Sequence, residues 1–250
     1  MEHRAPAVTR AIGVLKLLGR SSEPLGVNAI ARTLDVVPSS CLHILRALAD
    51  DGLVQVDPRT KQYTLGIGLL ALAHDMLGRN HFARLVQPEL DAIARKHGVT
   101  ATAVELDGRE RMVVVAMAQA STMLRIQVGV GSRFPAFISA TGRCVAAYSG
   151  LSEAQLKQRF SALQWQSTPK FPEWLKEVGE VRKAGVAVDA GHYITGITVV
   201  AAPVEGAAGV RQAISIVGVS EQLSGRSLGG LKRDAREAAQ RVAAQLRGLK

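Results

Sequence analysis

The chain has 250 residues, 47% of them hydrophobic, and its 31 lysines and arginines exceed its 21 acidic residues by ten charges. That length favours two domains, and so hydrophobic a composition excludes an intrinsically disordered chain. With two cysteines, no secretion-signal pattern and no membrane-spanning pattern, it is expected to be a cytoplasmic protein without a membrane partner.

The first fifty residues predict three helices. They are expected at about 9–20, 27–34 and 38–50. Thr9 is the expected N-cap of the first helix, and Ile12, Leu15 and Leu18 recur with helical spacing on its inward face. Only three residues separate the second helix from the third, which has proline in its first turn. A short helix, a tight turn and a longer helix together predict a helix-turn-helix.

The third helix has an apolar face and a polar face. Its apolar face is formed by Cys41, Leu42, Leu45, Leu48 and Ala49. The opposite face has hydroxyl and cationic side chains near the helix start, where they could bind phosphates and reach base edges. From this helix-turn-helix, the residues expected to contact double-stranded operator DNA are Asn28, Arg32, Ser39, Ser40, His43 and Arg46.

A β-hairpin is predicted directly after the third helix. Strand-like runs at 53–56 and 62–65 flank a turn that contains Arg59 and Lys61, which we expect to lie along the phosphate backbone. The alternative is a small helical subdomain with an ordinary charged hairpin. Residues 1–80 carry only two of the ten excess positive charges, so net charge does not support the DNA-binding prediction. That prediction depends on three features together: the helix-turn-helix spacing, the polar face of the third helix, and the hairpin, which corresponds to the wing of a winged helix.

A linker helix is expected at 66–79. Its apolar surface is unusually broad for a single connecting helix. The surface could pack on the first helix or on a second copy of the chain. A two-fold dimer would place two recognition helices about one DNA turn apart.

The rest of the chain predicts an α+β domain, with an antiparallel sheet and helices on its faces. Helices are expected at about 83–97, 140–149, 153–160, 172–184 and 227–246, and strands at 100–106, 111–119, 123–128, 186–189, 195–203 and 210–219. Asp107 and Gly108 give a strong hairpin signal between the first two strands.

Three stretches of this second domain have distinctive sequences. They read Leu-Arg-Ile at 124–126 with Gly-Ser-Arg-Phe-Pro-Ala-Phe at 131–137, Ser-Ala-Thr-Gly-Arg at 139–143, and Val-Arg-Lys-Ala-Gly-Val-Ala-Val-Asp at 181–189 with Val-Ala-Ala-Pro-Val at 200–204. Together with the order and length of the winged helix, they resemble the IclR-type bacterial transcriptional regulators over nearly the whole chain.

The resemblance implies a domain arrangement and a function. It implies a winged helix-turn-helix at 1–65, a linker helix at 66–80 and a GAF-like effector-binding and oligomerisation domain at 81–250. A homodimer or homotetramer of this kind controls a catabolic operon in response to a small, usually carboxylate-bearing effector. Many members have His where Phe137 stands, and the version here is similar to the subgroup that responds to aromatic acids and ring-cleavage intermediates.

The stretch 139–143 leads into a helix whose free amides and dipole could hold a carboxylate. The resemblance implies an effector site formed by Ala140, Thr141, Gly142, Asp189, Val199, Ser215 and Val217. Relatives that respond to small polar acids can have Cys and Ser at the positions of Val199 and Val217, so valine at both predicts a more apolar pocket and a larger, flatter ligand. Alternatively, both valines belong to the core and Ser215 is an ordinary strand residue.

No catalytic site, cofactor or metal is expected. The chain has no phosphate-binding Gly-rich motif, and its histidines lack metal-ligand spacing. His192 and Cys144 would suit a hydrolase only with a geometry that the sequence does not support. The alternative to a regulator is a small-molecule-processing enzyme fused to a nucleic-acid-binding domain.

Overall fold

Two units, Met1–Arg79 and Asn80–Lys250, make up the computed structural model, which describes residues 5–120, 128–206, 209–223 and 225–248. Each unit has its own apolar core. None of the described helices combines the length and the hydrophobicity of a membrane-spanning segment.

The first unit is a winged helix-turn-helix, as predicted. Its elements are α1 (Pro6–Leu18), β1 (Leu25–Gly26), α2 (Val27–Thr33), α3 (Pro38–Asp50), β2 (Val54–Val56), β3 (Gln62–Leu65) and α4 (Gly68–Arg79). Strand β3 lies between β1 and β2 in an antiparallel sheet, so the two-residue β1 adds a strand that the sequence did not predict. Buried side chains from α1, α2, α3, β2 and β3 form one core.

The first helix differs from the prediction at its start and on its buried face. It begins at Pro6, where a missing N–H costs no helical hydrogen bond, and Ala5 is the N-cap. Thr9 is therefore not the N-cap, because it lies inside the helix and its hydroxyl donates to the Ala5 carbonyl at 3.4 Å. Ile12 is 46% exposed, whereas Val14, about 200° farther round the helix, is buried.

The linker helix α4 keeps much of its apolar surface in solvent. Leu70 and Leu72 are 66% and 62% exposed, and Ile67, just before the helix, is 81% exposed. These three side chains therefore do not join the core of the first unit.

The second unit is an α+β domain with a six-stranded sheet in the order β6-β5-β4-β9-β8-β7, in which all neighbours are antiparallel. Its elements are α5 (His81–His97), β4 (Thr100–Leu106), β5 (Arg111–Gln119), β6 (Arg133–Pro135), α6 (Ser139–Tyr148), α7 (Glu153–Ser161), α8 (Phe171–Ala184), β7 (Ala187–Ala190), β8 (Ile197–Gly206), β9 (Gly209–Val219) and α9 (Gly225–Gly248). The short β6 was not predicted, and most of the strand predicted at 123–128 falls outside the described residues.

Helices cover both faces of this sheet. Helices α5 and α9 pack on each other and on one face, while α6 packs on the other face over β7, β8 and β9 and also contacts α8. Successive side chains of a strand point to opposite faces. In β8, Val200 and Ala202 therefore belong to the α5–α9 core, and Val199 and Ala201 belong to the α6 core.

Four aromatic rings form a cluster around α7 and α8. They belong to Phe160, Trp165, Phe171 and Trp174. The Phe160 and Trp174 rings lie 5.2 Å apart between centroids, within the range of favourable aromatic pairs. This aromatic cluster contains both tryptophans of the chain.

Candidate DNA-binding surface and effector cavity

The exposed face of α3 contains the predicted recognition residues. Ser39, His43 and Arg46 are exposed and follow one another at helical spacing, while Ser40 is half-buried. The helix begins at Pro38 without a side-chain cap, so its first-turn amides stay available to a phosphate.

The other predicted DNA contacts are also exposed. Asn28 and Arg32 lie on α2, while Arg59 and Lys61 lie in the β2–β3 turn. The Asp57 carboxylate closes this turn: its Oδ1 accepts hydrogen bonds from the backbone amides of Arg59 and Thr60 at 2.7 and 3.1 Å. These two hydrogen bonds hold the pKa of Asp57 below its ordinary value, and the bond from the Thr60 amide has the larger effect. The wing tip therefore has a defined shape with two cationic side chains in solvent.

The second unit has a cavity of about 280 Å³ between the sheet and the start of α6. Its lining comes from β4, β5, β6, β8, β9 and α6, from the loop before β6 and from the turn before β8. The lining residues are Thr102, Val114, Val128, Ser132, Arg133, Phe134, Ser139, Thr141, Tyr193, Ile194, Ile197, Val199, Ser215 and Val217. The wall is mostly apolar, and of the described residues that line it Arg133 alone carries a charge.

Two hydroxyls at the start of α6 lack hydrogen-bond partners in this cavity. Ser139 and Thr141 are 3% and 1% exposed, and neither hydroxyl oxygen has a partner among the described residues. The first-turn amides of α6 and the positive end of its dipole lie at the same place. Ser139 also has a φ of 62°, a backbone conformation that costs energy for any residue except glycine.

The structure brings four of the seven predicted effector residues together. Thr141, Val199, Ser215 and Val217 line the cavity. Period-two alternation accounts for the last three, because it directs them to the α6 face of the sheet. Tyr193 also lines the cavity and was missed, although it lies close to the predicted Asp189. Burial raises the pKa of the Tyr193 hydroxyl, so this hydroxyl stays a proton donor at neutral pH.

The other three predicted residues are not part of the cavity lining. Ala140 is fully buried in the α6 core. Gly142 packs against Phe137 so closely that a side chain would put its Cβ 2.0 Å from the Phe137 carbonyl carbon. Asp189 is buried beside Arg143, with 3.7 Å between its Oδ1 and the Arg143 Nη1.

Sequence reasoning also missed Thr102 and Arg133. Thr102 lies opposite Ser215 in the sheet and donates its hydroxyl to the Ser215 carbonyl at 2.9 Å. A polar residue in a strand of buried Ala and Val was the signal for it. Arg133 belongs to a distinctive stretch of the sequence, but nothing in that stretch indicates that its side chain faces a cavity.

Cys144 does not have the environment of a nucleophile. Its thiol is fully buried, and this burial raises its pKa to about 12, with Arg143 opposing the shift only in part. A thiol with such a pKa is protonated at neutral pH and therefore unreactive. In the described part of the chain, no three His, Cys, Asp or Glu side chains are grouped so that they could hold a metal ion.

Comparison with known proteins identifies the family. Residues 74–244 match the domain described as bacterial transcriptional regulator IclR C-terminal, and residues 7–58 match the IclR helix-turn-helix domain. The chain belongs to the IclR family. The members of this family are transcriptional regulators and not enzymes, which contradicts the enzyme alternative.

Several named IclR regulators and solved structures are similar along nearly the whole chain. The glycerol operon regulatory protein of Streptomyces griseus is 26% identical over 88% of this chain and 86% of its own length. The repressor AllR of Escherichia coli K12 is 26% identical over 88% and 82%. The crystal structure of an IclR regulator from Alicyclobacillus acidocaldarius is 29% identical, with a TM-score of 0.83 over 97% of this chain and 99% of that one.

Proposed function

We propose that this IclR regulator binds double-stranded operator DNA as a homodimer or homotetramer in the cytoplasm and controls a catabolic operon. Its effector is a small carboxylate with an aromatic ring, bound in the 280 Å³ cavity of the second unit. The observation that carries the proposal is the pair of buried, unpaired hydroxyls at the start of α6.

The carboxylate part of the proposal follows from what those hydroxyls need. A buried hydroxyl without a partner costs about 1–3 kcal/mol, and a ligand that accepts its hydrogen bond recovers this cost. Ser139 and Thr141 are both donors, and the adjacent helix start adds free amides and a positive potential. An anionic acceptor with two oxygens matches this set of donors. Arg133 adds a cation to the lining.

The aromatic part follows from the size and the walls of the cavity. Its volume equals that of about nine water molecules, far more than a two-carbon acid fills. Val199 and Val217 face each other across β8 and β9 and, with Phe134 and Ile197, form apolar walls suited to a flat ring. An IclR homolog from Microbacterium hydrocarbonoxydans, 18% identical with a TM-score of 0.81, was crystallised with 4-hydroxybenzoate. That compound is a suitable first probe.

The proposed DNA contacts divide into two classes. Arg46 and His43 would reach base edges in the major groove, while Ser39, Ser40 and the start of α3 would bind phosphates. The contacts proposed on α2 and in the wing are Asn28, Arg32, Arg59 and Lys61. All of these side chains except that of Ser40 are exposed, which supports their contact with DNA.

The proposed oligomer would cover the apolar surface of α4. Ile67, Leu70 and Leu72 are mostly exposed, and clustered apolar side chains of this size commonly mark a protein interface. Sedimentation of the unaltered protein tests this part, and a monomer at micromolar concentration would contradict it.

A thermal-shift panel tests the effector class, because a ligand that binds only the folded state raises the melting temperature. The panel compares 4-hydroxybenzoate and 3,4-dihydroxybenzoate with glyoxylate and pyruvate. We expect a larger shift with the ring acids, and a clear preference for the two- and three-carbon acids would refute the proposed class.

Two matched variants connect the binding to the hydroxyls. Thr141→Val removes an unpaired hydroxyl, so it should weaken ring-acid binding about tenfold without lowering the stability of the free protein. Thr198→Val is the control, because Thr198 is buried outside the cavity lining and its hydroxyl donates to Ser220 at 2.9 Å. This control should lose stability and keep its affinity. Unchanged affinity in Thr141→Val would rule out the proposed carboxylate site.

A further inference from the structure

Asp189 is a buried carboxylate that lies behind the cavity and not in its wall. Its side chain is 1% exposed. One oxygen, Oδ2, accepts the backbone amide of Tyr193 at 3.1 Å, and the other, Oδ1, lies 3.1 Å from Nδ1 of His192. The residues held in this way are next to Ile194, and Tyr193 and Ile194 both line the cavity.

The same carboxylate lies beside a second anchor of the cavity wall. Arg143 is 1% exposed, and its Nη1 lies 3.7 Å from Asp189 Oδ1. This Nη1 also donates to the Ser139 carbonyl at 3.0 Å. The Arg143–Asp189 pair therefore reaches both polar walls of the cavity, the start of α6 on one side and the 192–194 segment on the other.

The need to neutralise the charge of Arg143 does not by itself explain why a carboxylate is buried at position 189. The Arg143 Nε already donates to Glu177 at 2.6 Å, a shorter contact than the one to Asp189. Burying a second carboxylate is costly unless hydrogen bonds compensate for the lost water. For Asp189, the closest of these partners belong to the 192–194 segment.

The opposite edge of this segment is held by other groups. The amides of Gln166 and Ser167 donate to the carbonyls of Tyr193 and His192 at 3.3 and 3.0 Å. These bonds hold the carbonyl side, and the Asp189 carboxylate holds the amide side. With both sides held, the Tyr193 side chain has a fixed origin from which to face the cavity.

We infer that Asp189 is a positioning residue of the effector site, which fixes the cavity-lining segment 192–194 relative to the start of α6 and does not touch the effector. The inference rests on the proposed function of the cavity. It reassigns a residue that the family resemblance placed in contact with the ligand.

Three variants separate positioning from charge compensation. Asp189→Asn removes the charge and one of the two acceptor oxygens. Asp189→Glu keeps a negative charge beside Arg143 but moves the carboxylate by one methylene group from the Tyr193 amide. Glu177→Gln is the matched control, because it removes the other carboxylate that contacts Arg143. The Glu177 side chain is 45% exposed and, among the described residues, has no hydrogen bond to segment 192–194.

Hydrogen–deuterium exchange of the ligand-free full chain is the first measurement. We expect the amides of 192–196 to exchange at least tenfold faster in both Asp189 variants and at the unaltered rate in Glu177→Gln. If Asp189→Asn does not fold, Asp189→Glu decides. Unaltered exchange in Asp189→Glu, or equal acceleration in Glu177→Gln, would overturn the inference.

Affinity for 4-hydroxybenzoate is the second measurement. Both Asp189 variants should bind this probe at least tenfold more weakly, and Glu177→Gln should bind it like the unaltered protein. Equal weakening in Glu177→Gln would assign Asp189 a merely structural role and overturn the inference. If the unaltered protein binds neither this probe nor the other acids of the panel, the proposed function fails, while the exchange data still decide whether Asp189 anchors the segment.

Discussion

The two candidate sites of this protein treat their polar groups in opposite ways. On the proposed DNA-binding surface, Ser39, His43 and Arg46 are exposed and can exchange bonds to water for bonds to DNA. In the cavity, Ser139 and Thr141 are buried away from water without a partner. Exposed groups of the first kind are hydrated and cost the folded state nothing, whereas the buried hydroxyls of the second kind have no partner among the described residues and would gain one from a ligand that accepts their hydrogen bonds. Substitutions should therefore change stability in one site and not in the other.

The largest difference is expected for charged side chains. Arg143→Met should lower the free energy of unfolding by about 3–5 kcal/mol, because it leaves the buried Asp189 without its cationic neighbour. Arg46→Met, the same exchange on the exposed face of α3, should change it by less than about 0.5 kcal/mol. Urea denaturation followed by circular dichroism measures both. Similar losses in the two variants would remove the contrast between the sites.

The exposed surface should reveal itself in DNA binding. Arg46→Ala should lose about 1–3 kcal/mol of preference for the operator over random DNA, because a base contact disappears. Lys61→Ala should weaken binding to all DNA alike. It should also reduce the slope of the logarithm of the binding constant against the logarithm of salt concentration by about one. Titrations of the upstream intergenic DNA at two salt concentrations distinguish these effects. Lys157→Ala, an exposed change in the second unit, is the control and should leave both quantities unaltered.

Glycine at the start of α6 should separate stability from binding. Ser139→Gly removes the strain that a positive φ causes for a residue with a side chain, and it also removes an unpaired hydroxyl. We therefore expect a gain in stability of about 1 kcal/mol and weaker effector binding. Ser139→Ala removes the hydroxyl but keeps the backbone strain, and should gain less. Melting temperatures with and without 4-hydroxybenzoate measure both effects. A loss of stability in Ser139→Gly would contradict the strain at this position.

The smallest effect concerns a carboxylate whose partners are all present. Burial alone would raise the pKa of Asp234, but hydrogen bonds from Lys96 and His97 outweigh it and hold the pKa below its ordinary value. The ionised Asp234 carboxylate therefore stabilises the folded state fully above its unfolded-state pKa of about 3.9. This contribution is lost as the pH falls through the lower pKa of Asp234 in the folded state. Asp234→Asn should cost less than about 1 kcal/mol at neutral pH and flatten the stability profile below pH 4. An unchanged acid profile would count against this assignment.

Local patterns in the sequence predicted the elements better than their packing. The predicted bounds of α3 agree with the structure because proline marks its first turn and a single apolar face continues to Asp50. The other predicted bounds in the described parts differ from the observed ones by three residues or fewer. On α1, two apolar stripes were available, and only the fold decides that Val14 and not Ile12 is buried.

The cavity depended on contacts that no local pattern contains. Valine at 199 and 217 predicted apolar walls, because alternation along a strand is a local property. The role of Asp189 depends on Arg143, which is 46 residues away in the chain, and on a turn whose amide happens to face the carboxylate. The φ of Ser139 had no signal either, since glycine is the residue expected at a positive φ.

The aromatic cluster gives the protein a built-in optical reporter. Both tryptophans, Trp165 and Trp174, belong to this cluster, and the residues just after Trp165 pair with the segment that lines the cavity. The winged helix-turn-helix has no tryptophan. Tryptophan emission therefore comes from the second unit alone, and a change in it on adding an acid would report cavity occupancy in the presence of DNA without any attached dye.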